Sequence, residues 1–361
     1  MSGAGEEAPA GAAPRISRHA YWYVVAESRE LTGDAVLARK VLDEWLVIFR
    51  GADGSPAALR DRCMHRHAPL SQGKLRDGCL QCPYHGWTYD AEGVVVAVPA
   101  EGERFRRLER RRAPTFSTRE QDGFVYVRLA SDGPEALEPF PMPFWGDPRW
   151  RHIRLVNTFE NSVTNCAENF IDVPHTVFVH PGIFRTSYGQ KITADIRRAK
   201  GSVRVDYRGE RSNLGWFKRF LNPGDEQIGH RDSFHAPNVT EVEYVFGPTR
   251  RLFIISQSVP EEALRTRVYT TLSYNFGLFS RSRLLNSVVK RVLAFQGQAV
   301  IDQDLKALAD QGRTIEKYGV DFQNSSADAI HVLVESLQEA IAAGVDPRTL
   351  PEKRARVEFI I

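Results

Sequence analysis

The stretch CMHRHAPLSQGKLRDGCLQCPYHGW, Cys63–Trp87, contains two short motifs that each pair a cysteine with a histidine. Cys63-x-His65 and Cys82-x-x-His85 are separated by sixteen residues. A [2Fe–2S] cluster with two thiolates on one iron and two imidazoles on the other needs this set of ligands. Proline and glycine near both motifs are typical of loops that turn tightly. The sequence therefore predicts a [2Fe–2S] site held by two loops.

A zinc site is the main alternative for this stretch. Cys79-x-x-Cys82, together with Cys63 and His65, would supply four ligands of the kinds that zinc prefers. That arrangement leaves His85 without a role, whereas the cluster uses both cysteine–histidine pairs. Cys79 is then expected to occupy a strand position as a small buried residue. We therefore favour the cluster over zinc.

Length and composition set the outer limits. The chain has 361 residues, which is enough for two domains with sizeable cores. Its formal net charge of +3 is not the signature of a nucleic-acid-binding protein. Four cysteines are too few for a disulfide framework, and two of them are assigned as thiolate ligands, so a reducing cytoplasm is expected. We expect no membrane span, because no apolar run is long enough to cross a bilayer.

The chain divides into four segments by composition. Residues 1–15, rich in Ala, Gly and Pro, lack the features of a signal peptide and are expected to be a disordered tail. Short strand-like segments with turn residues between them predict a small antiparallel β domain over residues 16–132. Residues 133–150 are proline-rich and predict a linker. Residues 151–361 are expected to form a second domain.

The second domain is expected to contain further strands and two long helical patterns. The first pattern spans residues 284–311 and is expected to be interrupted at Gly297, and the second is an amphipathic C-terminal helix. The stretch 212–238 is rich in turn residues and predicts a long loop or lid. Its histidines, His230 and His235, are expected to be ordinary loop histidines rather than substrate contacts.

A second motif, Asn169-x-x-Asp172-x-x-His175-x-x-x-x-His180, lies near the start of the second domain. The three-residue spacing places Asn169, Asp172 and His175 on one side of a predicted helix. Pro181 disfavours helical geometry at His180, so the helix should end just before it and bring the two histidines together. Two histidines with an acid in reach begin a 2-His-1-carboxylate set, which holds Fe(II) and leaves positions open for O₂. Packed structural histidines remain the alternative.

The third ligand of such a set has to come from further along the chain. Asp302 and Asp304 are the candidates, in the second half of the first long helical pattern. Asp304 lies between Ile301 and Leu308 at spacings that place it on one face with apolar residues. A carboxylate in that position is costly without a partner, and a metal cation would be such a partner. We favour Asp304 and keep Asp302 as the alternative.

In this order and separation, the two motifs resemble those of the terminal oxygenase component of Rieske non-haem iron oxygenases. The resemblance is strongest to single-component-type enzymes of the dicamba monooxygenase, vanillate demethylase and pheophorbide oxygenase kind, and it covers about residues 20–312. It implies an α+β fold. An N-terminal antiparallel β Rieske domain is followed by a helix-grip (START-like) catalytic domain, whose antiparallel sheet is flanked by helices.

The resemblance also implies a role for each motif residue. The cluster ligands would be Cys63, His65, Cys82 and His85, and the ligands of a mononuclear Fe(II) would be His175, His180 and Asp304. The run Gln303-Asp304-Leu305 matches the family pattern better than Asp302 does. Asp172 matches the family's bridging acid, which hydrogen-bonds an iron-ligand histidine and reaches a cluster histidine of the neighbouring subunit in a homotrimer. Asn169, from the same motif, is the second candidate catalytic residue.

The implied activity is O₂-dependent hydroxylation or oxidative demethylation of a small aromatic or alkaloid-like substrate. The chain contains neither a G-x-G-x-x-G fingerprint nor a four-cysteine ferredoxin segment. Electrons are therefore expected from a separate NAD(P)H-dependent flavin reductase, directly or through a ferredoxin. A Rieske electron-transfer protein and a non-catalytic helix-grip ligand binder are the alternatives. The former would not need the second domain, and the latter would not need His175, His180 and Asp304.

Overall fold

A computed structural model describes residues 16–130, 137–181, 189–210, 228–247, 250–277, 280 and 282–361. Its strands form three antiparallel sheets of six, four and eight strands. The predicted disordered tail, residues 1–15, lies outside the described residues, as does the first part of the predicted linker.

The first two sheets belong to the N-terminal half of the chain. The six-stranded sheet has the order β1-β10-β9-β4-β3-β2 and the four-stranded sheet the order β5-β6-β7-β8. Their strands are β1 (Tyr23–Glu27), β2 (Leu37–Val41), β3 (Glu44–Arg50), β4 (Pro56–Arg60), β5 (Lys74–Arg76), β6 (Cys79–Gln81), β7 (Thr88–Tyr89), β8 (Val95–Ala97), β9 (Thr115–Gln121) and β10 (Phe124–Arg128). Leu42 and Asp43 both adopt positive φ between β2 and β3, which matches the tight turn that a two-residue hairpin needs.

The eight-stranded sheet forms the floor of the second domain, in the order β11-β17-β16-β15-β14-β13-β12-β18. Its strands are β11 (Arg151–Phe159), β12 (Lys191–Ala199), β13 (Ser202–Arg208), β14 (Gly229–His235), β15 (Val239–Phe246), β16 (Arg250–Glu262), β17 (Arg265–Asn275) and β18 (Lys353–Ile360). Within the described residues, four α-helices accompany it: α1 (Val163–Ile171), α2 (Thr176–Val179), α3 (Arg283–Tyr318) and α4 (Ala329–Ala342). The predicted antiparallel sheet flanked by helices is therefore present.

Three sequence predictions about regular structure were wrong. The single helix expected through Asn169 and His175 is two helices, because Pro174 excludes helical geometry at the residue before it. The interruption expected at Gly297 is absent, and α3 runs through it for 36 residues. Glycine weakens a helix by only about 1 kcal/mol, and here the glycine faces Leu272 and Leu155 of the sheet.

The third wrong prediction concerns the loop at residues 212–238. Its last part is β14, so that His230 and His235 are strand residues rather than loop residues. The aromatic residues Trp216, Phe217 and Phe220 of this stretch lie outside the described residues. β14 is mostly polar, and it can still be a central strand because its polar side chains find partners on both neighbouring strands, as Arg231 does with Asp206 of β13 and Glu243 of β15.

Both ends of the C-terminal helix α4 carry capping features. Ser325 and Asp328 form a capping box just before α4. The Ser325 side chain accepts a hydrogen bond from the Asp328 backbone N–H, and the Asp328 side chain accepts one from the Ser325 backbone N–H. Gly344 adopts a φ of +75° two residues beyond the helix, where a residue with a side chain would be strained.

The two halves of the chain share one apolar core. Buried residues of β1 and β10 pack in one cluster with buried residues of β15, β16 and β17. The Tyr269 hydroxyl donates to the Val25 carbonyl at 2.9 Å, and the Trp22 indole N–H donates to the Leu137 carbonyl at 2.9 Å. The first of these contacts joins β1 directly to the large sheet, and the second joins the first domain to the segment that precedes β11. Among the described helices, none is long and apolar enough to cross a bilayer.

Candidate functional site

The two cysteine–histidine motifs lie on adjacent loops at the four-stranded sheet. Cys63 and Cys82 are buried, and the rings of His65 and His85 lie 4.6 Å apart, centroid to centroid. The first loop is closed by a hydrogen bond from the Cys63 N–H to the Ala68 carbonyl. The second is closed by a bond from the Cys82 N–H to the Trp87 carbonyl. The structure thus brings together all four residues predicted as cluster ligands.

The donor set fits a [2Fe–2S] cluster with mixed ligation. All four cysteines of the chain are unpaired, so the two thiols are available as ligands. The Nδ1 atom of His65 is buried and makes no hydrogen bond within the described chain. A buried ring nitrogen without a partner is expected where a metal is the partner. Cys79 occupies the first position of β6, as predicted, but it is only half-buried.

Two aromatic residues next to these loops were missed by the sequence analysis. The Tyr89 hydroxyl lies 3.1 Å from Cys63 Sγ and accepts a hydrogen bond from the Met64 N–H at 3.0 Å. Hydrogen bonds to the ligand sulfurs of such clusters tune their reduction potentials. The indole of Trp87 stacks on the His65 ring with centroids 4.9 Å apart and so fixes its orientation. In the sequence, only their position just after the second motif indicated that they lie beside the proposed cluster.

The second predicted ligand set also converges. His175 and His180 flank the single turn of α2, and Asp304 projects from the middle of α3. His180 leaves helical geometry, as Pro181 predicts, and its Nε2 atom lies 3.3 Å from the Nε2 atom of His175. Asp304 Oδ1 lies 3.1 Å from His180 Nε2 and 3.6 Å from His175 Nε2.

These three side chains fit a mononuclear metal site. Their candidate ligand atoms all lie within 4.8 Å of one another. Atoms bound about 2.1 Å from one metal ion lie roughly 3 Å apart, close to the separations found here. Asp304 is 5% exposed, and its Oδ1 atom makes no well-directed hydrogen bond within the described chain. A buried carboxylate oxygen facing two imidazole nitrogens is the arrangement that a cation completes.

The electrostatics of the three residues favour the ionised carboxylate. Burial acts to raise the pKa of Asp304, but contacts with His175 and His180 lower it to about 2. Burial acts to lower the pKa of His175, but Asp172 and Asp304 raise it to about 9. Asp304 is therefore in the charge state that binds a metal.

The alternative third ligand, Asp302, is excluded by its position. Asp302 is exposed on the outer side of α3 and accepts a hydrogen bond from the Gln298 side chain at 2.8 Å. It is two residues from Asp304, which places it about 200° away around the helix. Of the two acids, only Asp304 faces the histidines.

Three further residues surround this donor set. Asp172 Oδ2 lies 3.4 Å from His175 Nδ1, and the Asp172 side chain is 46% exposed. Asn169, in the last turn of α1, contributes to lowering the pKa of Asp304. Gln303 Oε1 lies 2.8 Å from His180 Nδ1. In the sequence Gln303 stands out only as the neighbour of Asp304, because its contact with His180 depends on how α3 packs against α2.

The donor set opens onto a cavity of about 210 Å³ between the large sheet and the helices. His175, His180 and Asp304 lie at its wall, and most of the remaining wall is apolar. The apolar side chains come from both layers and include Leu155, Phe170, Val242, Ile254, Leu272 and Ile301. A concave, mostly apolar site with a few converging polar groups is the usual form of a small-molecule site.

Fold and donor sets together define the class of protein: a cluster-binding β domain joined to a helix-grip domain with a 2-His-1-carboxylate site. Comparison with known families agrees. Residues 21–117 match the model of the Rieske [2Fe–2S] domain. Residues 160–343, half of the chain, match the model of the vanillate O-demethylase oxygenase C-terminal domain. The chain belongs to this family of Rieske oxygenase-type proteins.

Two named relatives are each similar over about half of the chain. Aminopyrrolnitrin oxygenase PrnD of Pseudomonas fluorescens is 34% identical over 180 residues, which are 48% of this chain and 49% of the relative. The oxygenase component of dicamba O-demethylase from Stenotrophomonas maltophilia is 32% identical over 188 residues, 51% of this chain and 54% of the relative. The chain thus spans about half the length of curated relatives that it matches.

The structure of dicamba monooxygenase bound to dicamba superimposes with a TM-score of 0.75 at 22% identity, over 90% of this chain and 98% of that one. This likeness confirms the fold, including the predicted order of the Rieske and helix-grip domains.

Proposed function

We propose that the chain is a terminal oxygenase. It would use O₂ and externally supplied electrons to hydroxylate or oxidatively demethylate a small aromatic or alkaloid-like substrate. The observation that carries this proposal is the buried Asp304 carboxylate, which meets two imidazole nitrogens at the wall of an apolar cavity. A pure electron carrier needs neither that carboxylate nor that cavity.

The proposed ligands are Cys63, His65, Cys82 and His85 for the [2Fe–2S] cluster and His175, His180 and Asp304 for Fe(II). When bound, the cluster supplies electrons one at a time, and a three-ligand Fe(II) site supplies the chemistry of O₂ activation. The chain's own contribution is positional. Gln303 accepts the Nδ1 proton of His180, so that the Nε2 lone pair faces Asp304 and His175.

The cavity supports a substrate of about one substituted aromatic ring. An apolar cavity of roughly 150 Å³ is enough to bind benzene, and the cavity here is about 210 Å³. Its apolar walls would hold the ring and exclude water from the reacting position. Two relatives are named as demethylases of dicamba and of methylxanthines.

The proposed function also requires partner proteins, and Asp172 is the proposed contact with one of them. The half-exposed Asp172 carboxylate reaches His175 from the protein surface, which is where a bridging acid between subunits of a homotrimer would lie. Electrons would come from a separate NAD(P)H-dependent flavin reductase, directly or through a ferredoxin. Unpaired cysteines, two of them proposed thiolate ligands, support a reducing compartment such as the cytoplasm.

The test combines metal analysis with product analysis. Anaerobically loaded protein should hold about three irons per chain, two in the cluster and one in the second site. After chemical reduction and exposure to O₂, methoxylated and N-methylated aromatic compounds should yield oxygenated products or formaldehyde, detected by mass. Two irons per chain with no product would instead indicate an electron carrier or a ligand binder.

A single substitution separates the two sites. His175→Ala should keep the visible spectrum of the cluster and abolish turnover, because it removes one ligand of the second site only. Turnover by this variant would show that the mononuclear site lies elsewhere.

A further inference from the structure

A run of arginines lies beside the loops that carry the proposed cluster ligands. Residues 99–112, here called the basic segment, contain six arginines and three glutamates, a net charge of +3. The whole chain of 361 residues has the same formal net charge, so this segment is far more basic than the rest of the molecule. It connects β8 of the four-stranded sheet to β9 of the six-stranded sheet. A local excess of one charge attracts partners of the opposite charge.

The basic segment packs against the proposed cluster site. Phe105 packs against the apolar core that contains both proposed cysteine ligands. The guanidinium of Arg111 lies over the indole of Trp87, 5.6 Å from the ring centroid. That indole stacks on the His65 ring with an angle of 6° between the two planes. A stack of three side chains therefore joins a proposed cluster ligand to the basic segment.

Part of the positive charge of this segment is not neutralised within the chain. Three of its six arginines form ion pairs with nearby acids. Arg104, Arg106 and Arg110 are exposed, and within the described part of the chain none of them has an acidic partner. Arg106 donates only to two backbone carbonyls of its own segment. Exposed charges that have no partner of their own are available to an approaching protein.

The stack also marks a point where the cluster site lies close to solvent. The Arg111 side chain is 31% exposed, and Trp87 separates it from the His65 ring. Electron transfer between proteins slows steeply with distance, so a donor protein has to dock where few side chains cover the cluster. The proposed contact between subunits joins Asp172 directly to a cluster histidine, whereas this approach passes through Trp87. The two approaches therefore use different residues.

We propose that the basic segment is the docking surface for an acidic electron-donor protein of the plant-type ferredoxin class. This inference rests on the proposed function and names the donor that supplies its electrons. One electron leaves the reduced donor, which becomes oxidised, and reduces one iron of the cluster, while no bond forms or breaks. The direction is favourable, because plant-type ferredoxins have lower reduction potentials than Rieske centres. Attraction between the two surfaces raises the rate at which they meet.

The test measures how fast an acidic ferredoxin reduces the cluster. Holoprotein loaded with cluster and Fe(II) is mixed anaerobically with a reduced plant-type [2Fe–2S] ferredoxin, and the visible absorbance of both centres is followed by stopped flow. Raising the salt concentration from about 10 mM to about 150 mM shortens the Debye length from about 30 Å to about 8 Å. The second-order rate constant of the parent should fall at least about tenfold over that range, because salt screens the attraction that steers the encounter.

Two triple variants with the same change in net charge locate the effect. The first removes the unpaired arginines of the basic segment: Arg104→Gln, Arg106→Gln and Arg110→Gln. It should slow reduction about tenfold at low salt and less than about twofold at high salt. The control removes three exposed basic residues of α3 in the second domain: Arg283→Gln, Lys290→Gln and Arg291→Gln. It should stay within about twofold of the parent at both salt concentrations.

Two further measurements accompany the rates. Both triple variants should keep the visible spectrum of the cluster, because Arg111 and its contact with Trp87 are left in place. Both should also keep the molecular mass of the parent in light scattering. A change of mass in the first variant alone would overturn the inference, because the basic segment would then join copies of this chain.

The outcomes separate this inference from the proposed function. A rate constant that does not depend on salt, equal slowing by the two triple variants, or an unchanged rate in the first variant would overturn the docking surface. The oxygenase assignment would stand in those cases if chemically reduced protein still oxidises a methoxylated compound. Conversely, salt-dependent reduction that only the first variant loses, without any oxidised product, would support the docking surface and contradict the oxygenase assignment.

Discussion

Gln303→Leu is expected to weaken iron binding at the mononuclear site without affecting the cluster. Gln303 Oε1 lies 2.8 Å from His180 Nδ1, and the His180 residue is 1% exposed. An amide oxygen only accepts hydrogen bonds, so this contact keeps the proton on Nδ1 and leaves Nε2 for the metal. Leucine has a similar volume and offers no acceptor.

The size of the effect follows from the same contact. Removal of a residue that hydrogen-bonds a metal ligand typically reduces metal affinity by about 10- to 100-fold. That range corresponds to about 1.4–2.7 kcal/mol. A buried N–H left without an acceptor costs about 1–3 kcal/mol, which is the same range. Both routes therefore predict a loss of between one and two orders of magnitude.

The assay is anaerobic competition for Fe(II) between the protein and a chelator of known affinity, with cluster absorbance as the internal standard. Gln303→Glu should restore much of the affinity, because a carboxylate also accepts the Nδ1 proton. Gln298→Leu is the matched control. Gln298 lies on the same helix and donates a hydrogen bond to Asn157, so this variant should bind iron normally. The reasoning fails if Gln303→Leu binds iron within about twofold of the parent, or if Gln298→Leu weakens binding equally.

Three further predictions concern other parts of the molecule. Asp304→Asn should lose the mononuclear iron while keeping the cluster, whereas Asp302→Asn should keep both, as measured by iron and sulfide content. Gly312→Ala should destabilise the fold by about 1–3 kcal/mol in thermal unfolding, because its Cβ would meet a backbone carbonyl. Gly297→Ala in the same helix should be neutral or slightly stabilising, because its Cβ would face only the ends of side chains. His230 has its pKa raised from 6.5 to about 10, so its contribution to stability should be complete below about pH 6.5 and be lost as the pH rises through 10. Urea unfolding across that range should show a steeper decline for the parent than for His230→Gln, and parallel curves would contradict the assignment.

Local patterns in the chain were sufficient to predict both sets of proposed ligands. Each cluster motif spans at most four residues, and the geometry of such a short loop depends mainly on its own glycines, prolines and ligand spacing. The position of His180 was also predictable, because Pro181 acts on the residue directly before it. Asp304 was favoured by its apolar neighbours on one helix face, and the structure places it there.

Long-range packing decided what the local patterns missed. The run through Gly297 is helical because α3 packs against β11, and that packing outweighs the weak helix propensity of one glycine. His230 looked like a loop residue because β14 is a polar strand whose partners, on β13 and β15, are far away in the sequence or follow it after a turn. No pattern within residues 212–238 shows that a histidine there will be stacked between two tyrosines.

By itself, the sequence determined the ligand types, their spacing and hence the class of iron chemistry, because metal preference depends on the donor atoms and a few neighbouring residues. The tertiary structure alone decided how closely Asp304 approaches the two histidines, and which polar groups share a cavity with them. Those contacts join segments more than a hundred residues apart, and their geometry depends on how helices and sheet pack as complete elements.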